Sequence, residues 1–172
     1  MRITAELLSL AEQRTNPDQQ RELVLREYGI PAIENMGVVV AMAGSAAMGG
    51  EHGAGGPIGS SNNNVNDPFD AWDLSNNRLS RLDNFPRLSR LSHLFCAGNL
   101  IETIDAKNIA KNVPNLTSLT LSYNAISSLA EIMNLAKACP KLEFLALTGN
   151  PVTSKSKYSK KSMTMVGIDY RF

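Results

Sequence analysis

The chain has 172 residues, enough for one sizeable hydrophobic core, and 43% hydrophobic with 19% charged residues is an ordinary globular balance. A formal net charge of +1 excludes a global attraction to nucleic acid or to an anionic membrane, so any such contact has to be local. Two cysteines do not make a disulfide scaffold and fit a reducing, intracellular compartment better.

Residues 4–14 read as a helix. Thr4 suits the cap, Glu6 suits the positive end, Leu7, Leu8 and Ala11 give an apolar face, and Asn16, Pro17 and Asp18 stop it. Met1 to Leu10 holds one arginine and no long apolar run, so neither a secretory signal nor a membrane span is expected. From 19 to 36, Leu23, Leu25, Ile30 and Ile33 take strand-like and turn-like places. Residues 37–66 break any pattern. Gly37 to Met42 is too short an apolar run to cross a bilayer, and the Gly, Ser, Ala and Asn that follow cannot bury enough apolar surface to offset ordering, so a flexible insertion is expected. The glycines at 49, 50, 53, 55 and 56 are not followed by Gly-Lys-Ser/Thr, and a phosphate-cradling loop is set aside.

From residue 67 to 152 one motif occurs four times, L-x-x-L-x-L-x-x-N-x-L. Its slots are filled by Phe69, Trp72, Leu74, Asn77 and Leu79, then by Leu91, Leu94, Cys96, Asn99 and Ile101. The third copy has Leu116, Leu119, Leu121, Asn124 and Ile126, and the fourth Leu142, Leu145, Leu147, Asn150 and Val152. The asparagines stand 22, 25 and 26 residues apart, the period of leucine-rich repeats. Alternate residues of a short strand point to opposite faces, so the leucine-type slots turn inward. The asparagine amide both donates to and accepts from backbone in the tight turn that follows. One repeat cannot bury its own apolar face, and neighbours therefore stack into a curved parallel sheet with helices and turns on the convex side. The fold class expected is an α/β leucine-rich-repeat solenoid. By the same pattern, 19–36 is a degenerate first repeat with Tyr28 in the asparagine slot, and 1–18 is a capping helix over the terminal apolar layer.

Phe85-Pro86, Val113-Pro114 and Cys139-Pro140 each lead, after one more residue, to a leucine slot at Leu88, Leu116 or Leu142. Proline ends the convex element and returns the chain to the next strand. Segments 106–113 and 128–138 read as convex helices, the second with Leu129, Ile132, Met133 and Ala136 on one face. Between Leu79 and Leu91 there is room only for a turn or 3₁₀ piece. Asn115, Leu116 and Thr117 match a glycosylation sequon, but the middle residue is a core slot, and modification is not expected. The C-terminal end, 153–172, is locally basic, with Lys155, Lys157, Lys160, Lys161 and Arg171 against Asp169. Phosphate contacts suit that composition, and so does a solvated tail.

Catalysis needs convergent groups, a nucleophile beside a base or paired carboxylates. His52 falls in the insertion and His93 in an outward slot, and two histidines and two cysteines at unrelated spacings make no metal site. No enzyme activity, cofactor, metal or small-molecule substrate is expected. The outward residues are the informative set. In chain order they are Glu22, Val24 and Arg26; Ala71, Asp73 and Ser75; His93, Phe95 and Ala97; Ser118, Thr120 and Ser122; Phe144, Ala146 and Thr148. Phe95 and Phe144, flanked by small and polar residues, suit aromatic anchors for a protein laid into the curve. Exposed apolar residues tucked against neighbours are the plain alternative.

Arg21-Glu22-Leu23-Val24-Leu25-Arg26-Glu27-Tyr28-Gly29-Ile30-Pro31-Ala32-Ile33-Glu34-Asn35 closely resembles the opening of the A-prime proteins of the U2 small nuclear ribonucleoprotein. Asp67-Pro68-Phe69-Asp70-Ala71, Arg81-Leu82-Asp83-Asn84-Phe85-Pro86-Arg87-Leu88 and Gly149-Asn150-Pro151-Val152-Thr153 are further matches. The resemblance implies a nuclear scaffold in pre-mRNA splicing. Its concave sheet would hold a helix of an RNA-recognition-motif partner, the B-double-prime subunit, and the pair would bind a stem-loop of U2 small nuclear RNA, with no membrane contact. By position, Glu22, Val24, Arg26, Asp73, Phe95, Thr120 and Phe144 would face the partner, and Lys155 and Lys157 would lie toward RNA. The family has a short connection where this chain carries 37–66. It also ends in a cap helix and a Pro-x-Leu-x-x-Leu-Asp strand, of which only Gly167-Ile168-Asp169-Tyr170 is similar here, so the last repeat is expected to be thinly covered. The rival reading is a leucine-rich-repeat adaptor for a phosphatase or dynein subunit, without RNA.

Overall fold

The computed structural model describes residues 3–34, 69–154 and 169–171. The expected insertion at 37–66 and the lysines at 155 and 157 lie outside them. Helix α1 (Ala5–Leu10) starts as expected, with the Thr4 hydroxyl accepting from the Leu7 amide at 3.1 Å and Glu6 in the first turn. It stops early. Ala11 is already extended, and Glu12–Thr15 form strand β1, antiparallel to β2 (Arg21–Val24). The residues of 12–15 are tolerable in a helix, but the open edge of the sheet offers them a row of unpaired backbone groups, and pairing there wins. The turn is built by Asn16, whose side-chain oxygen accepts from the amides of Asp18 and Gln20 at 3.1 and 3.0 Å.

The main sheet continues with β3 (Ala71–Asp73), β5 (His93–Phe95), β7 (Ser118–Thr120), β8 (Phe144–Ala146) and β9 (Asp169–Arg171), all parallel from β2 onward. Strand β9 pairs with β8 in the register Phe144↔Asp169. The sheet edge at the last repeat is therefore paired by a strand; the rest of the expected cap lies outside the described residues. A second, two-stranded ladder joins β4 (Arg81–Leu82) to β6 (Thr103–Ile104). No helix among the described residues is long and apolar enough to cross a membrane.

Every inward leucine-type slot of the four copies is buried, none more than 3% exposed. Fully burying such a side chain stabilises the fold by about 2 kcal/mol, which is why the stack of repeats, and not any single strand, is the stable unit. The asparagines join one repeat to the next. The Asn77, Asn99, Asn124 and Asn150 amides donate to the carbonyls of Leu25, Leu74, Cys96 and Leu121 in the preceding repeat, at 2.7 to 2.9 Å. Their oxygens accept from the amides of Ile30, Leu79, Ile101 and Ile126 of that same repeat. Tyr28 occupies the corresponding slot of the first repeat, where no earlier repeat offers a partner for an amide, and packs half-buried against the core. The residue before each slot, Glu27, Asn76, Gly98, Tyr123 and Gly149, has a positive φ; the same left-handed turn recurs at each step.

On the convex side α2 (Ala106–Asn112) is capped by Asp105, whose carboxylate accepts from the Asn108 amide. Helix α3 (Leu129–Ala138) is capped by Ser128. Its buried face is Ile132, Leu135 and Ala136, with Met133 only half-buried; the face is centred closer to Leu135 than the expected face with Met133. Leu88, Leu116 and Leu142, reached after the three prolines, are all buried. Cys96 and Cys139 are free thiols and buried. Burial raises both above the ordinary thiol value, Cys139 to about 11 and Cys96 further, with a smaller push on Cys96 from Asp73.

Candidate protein-docking face

Parallel pairing lines up the outward residues. Glu22, Ala71, His93, Ser118 and Phe144 share one row across the strands, and Val24, Asp73, Phe95, Thr120 and Ala146 the next. Backbone bonds beyond the strands carry the alignment on to a row through Ser75, Ala97, Ser122 and Thr148. These are the rows expected from the alternation of strand side chains. Phe95 and Phe144 are both half-buried, as are Val24 and Thr120. Strand β7 separates the two phenylalanine strands, so their backbones lie about 10 Å apart, close to the diameter of a helix. Small residues, Ser118 and Thr120, make the floor between them.

Two expected contact residues are engaged inside the fold. Glu22 receives Arg14 in a forked pair, Nε to Oε2 at 2.9 Å and Nη2 to Oε1 at 3.2 Å. Asp73 receives Arg26 through Nε and Nη2 at 3.0 and 2.7 Å, and its other oxygen accepts from the Ser75 amide. The carboxylate side chains are 5% and 2% exposed, whereas the arginines are 49% and 50% exposed. The surface here is therefore two half-exposed guanidinium groups laid over buried carboxylates. The pair with Glu22 raises the Arg14 pKa still further above its ordinary value. Arg26 was expected on this face. Arg14 was not, because it reaches the face only through β1, and the sequence of 12–15 gives a helix as readily as a strand.

His93 joins the hairpin to this face. Its Nδ1 lies 3.0 Å from Gln20 Nε2 and 2.9 Å from Ser92 Oγ. Its ring centroid is 6.5 Å from that of Phe95, with the planes 36° apart. No group of three or more metal-ligating side chains occurs among the described residues. A cleft of about 710 Å³ opens on the convex side between the helices, lined by residues including Arg81, Asp105, Lys107, Glu131 and Lys137. It brings no nucleophile beside a base.

Stacked repeats, a cross-repeat asparagine ladder and an aromatic-bearing parallel face define a leucine-rich-repeat protein. The leucine-rich-repeat family model matches residues 54–167, and the chain belongs to that family. It is 36% identical over 132 residues to the U2 small nuclear ribonucleoprotein A' of Schizosaccharomyces pombe, covering 77% of this chain and 44% of the relative. The corresponding protein of Homo sapiens is 35% identical over 158 residues, covering 92% of this chain and 51% of the relative. Among solved structures, a chain of the crystal structure of the Drosophila melanogaster SNF/U2A' complex superposes with a TM-score of 0.77 at 33% identity, covering 98% of this chain and 81% of that one. The likeness to U2 A-prime proteins, expected over residues 3 to about 36 and 67 to 158, is thus found along most of the chain. The chain spans about half the length of the curated relatives it matches.

Proposed function

We propose that this chain is a non-catalytic scaffold of the U2 small nuclear ribonucleoprotein, acting in pre-mRNA splicing in the nucleus. Its concave face binds an RNA-recognition-motif partner of the B-double-prime kind, and the pair engages a stem-loop of U2 small nuclear RNA. The observation that carries this reading is the placement of Phe95 and Phe144 on aligned strands of a sheet whose fold matches a chain crystallised in complex with SNF. A helix of the partner lies between the two rings, over Ser118 and Thr120, while Val24, Arg26 and Arg14, two to three strands beyond Phe95 on the same sheet, meet a further part of the partner. Burial of aromatic anchors supplies most of the affinity. Lys155 and Lys157 add a salt-dependent contact to RNA phosphates.

The test is to isolate the tagged protein gently from its own cells and identify what accompanies it. U2 small nuclear RNA together with an RNA-recognition-motif protein is the expected result. A phosphatase or dynein subunit without RNA would overturn the proposal in favour of an adaptor.

A further inference from the structure

The hydrogen bonds around His93 form a chain whose direction is fixed at its far end. Asn16 Oδ1 accepts from the backbone amides of Asp18 and Gln20, and a backbone N–H can only donate, so the orientation of the Asn16 amide is set. Its Nδ2 therefore donates to Gln20 Oε1, at 2.9 Å. That in turn sets the Gln20 amide, and Gln20 Nε2 faces His93 Nδ1 at 3.0 Å as a donor. Ser92 Oγ has one proton for two acceptors, the Asp70 carbonyl at 3.1 Å, which already accepts from the amides of Ser92 and His93, and Nδ1 at 2.9 Å; donated to Nδ1, it agrees with the Gln20 donor. A proton on Nδ1 would meet the Gln20 N–H head-on.

The neighbouring acids give no reason to place one there. Glu22, in the same row of the sheet, is taken by Arg14, and Asp70 by Arg90. Arg26 is likewise taken by Asp73. Among the described residues, Nε2 has no protein partner.

We infer that the N-terminal hairpin holds His93 as a neutral imidazole with its proton on Nε2, a fixed donor on the concave face for a carbonyl or carboxylate oxygen of the docked protein. The acceptor's existence rests on the docking reading above; the tautomer does not. The hairpin then has two roles, covering the sheet edge and setting the polarity of a side chain two strands beyond β2.

Long-range proton–nitrogen correlation spectra of the free, full-length chain at mildly alkaline pH read the tautomer directly. The Nε2–H pattern is expected for the wild type, and Gln20→Leu should release a mixture. Titration with SNF, the protein paired with U2A' in the Drosophila complex, reads the donor. His93→Asn, which keeps a polar group only near the Nδ1 position, should lose about tenfold in affinity, while His93→Gln, whose amide reaches the Nε2 position, should keep most of it. An Nδ1–H pattern in the wild type would overturn the inference, and so would His93→Asn binding as tightly as wild type. An Nε2–H pattern with no wild-type complex would instead overturn the docking reading and with it the acceptor.

Discussion

Asn124 donates its side-chain amide to the carbonyl of Cys96, one repeat back, at 2.9 Å. It also donates to Leu121 in its own repeat and accepts from the Ile101 amide, so a single buried side chain satisfies backbone groups of two repeats. Removing it leaves several of them without partners in a site closed to water. Asn124→Ala is expected to lower stability by about 3 kcal/mol, measured by urea unfolding. Asn124→Asp should be nearly as damaging, because a carboxylate cannot donate to the two carbonyls.

Tyr123 illustrates a different cost. It holds φ near +57° in the recurrent left-handed turn and is 66% exposed. An L-residue pays for that conformation unless its side chain is short and polar. Tyr123→Asn is expected to raise stability by about 1 kcal/mol. Gly149, beside it, has φ near +76°, and a Cβ there would stand 2.6 Å from the Tyr123 ring. Gly149→Ala should therefore destabilise by about 2 kcal/mol, and pairing it with Tyr123→Asn should recover part of the loss. Both effects are read from thermal or urea unfolding of the single and double variants.

The thiols give a pH dependence. Unfolded, a cysteine ionises near 9.0, whereas burial holds the Cys139 proton to about 11. The folded value is the raised one, so this contribution to stability is complete below pH 9 and is lost as pH climbs toward 11. The urea midpoint should fall between neutral pH and about pH 10, and Cys139→Ala should flatten part of that fall. Thiol reagents at neutral pH should modify neither Cys96 nor Cys139 until the protein unfolds.

The repeat core could be read directly because its physics is periodic. Leucine slots at strand spacing and an asparagine every 22 to 26 residues describe contacts that each repeat makes with copies of itself. The aligned outward rows follow from the same spacing. What could not be read depended on unlike elements meeting. Glu12–Thr15 are neutral between helix and strand until the sheet edge is present, and with β1 misread, Arg14 and the burial of Glu22 beneath it were hidden. Asp73 faced the right way, but its pairing with Arg26, 47 positions earlier, is set by sheet register. The inward turn of Leu135 in place of Met133 likewise reflects packing of one convex helix on the next.

Asp73 tests the face without touching an aromatic residue. Asp73→Ala removes the acceptor of two Arg26 hydrogen bonds and one from the Ser75 amide. With Arg26 half exposed, the stability loss should be moderate, about 1–2 kcal/mol. The free arginine should lose its fixed orientation, so Asp73→Ala is expected to weaken partner binding by an amount similar to Arg26→Ala. A double variant no weaker than either single one would confirm that the pair acts as a unit.

The central claim is that the face bearing Phe95 and Phe144 holds the partner. The most direct measurement is calorimetric titration of the full chain with SNF, for the wild type, Phe95→Ala and Phe144→Ala, with unfolding curves run alongside. A wild-type complex, weakened about 30-fold by each substitution while the fold stays intact, is the predicted result. No wild-type complex, or a complex indifferent to both changes, would contradict it.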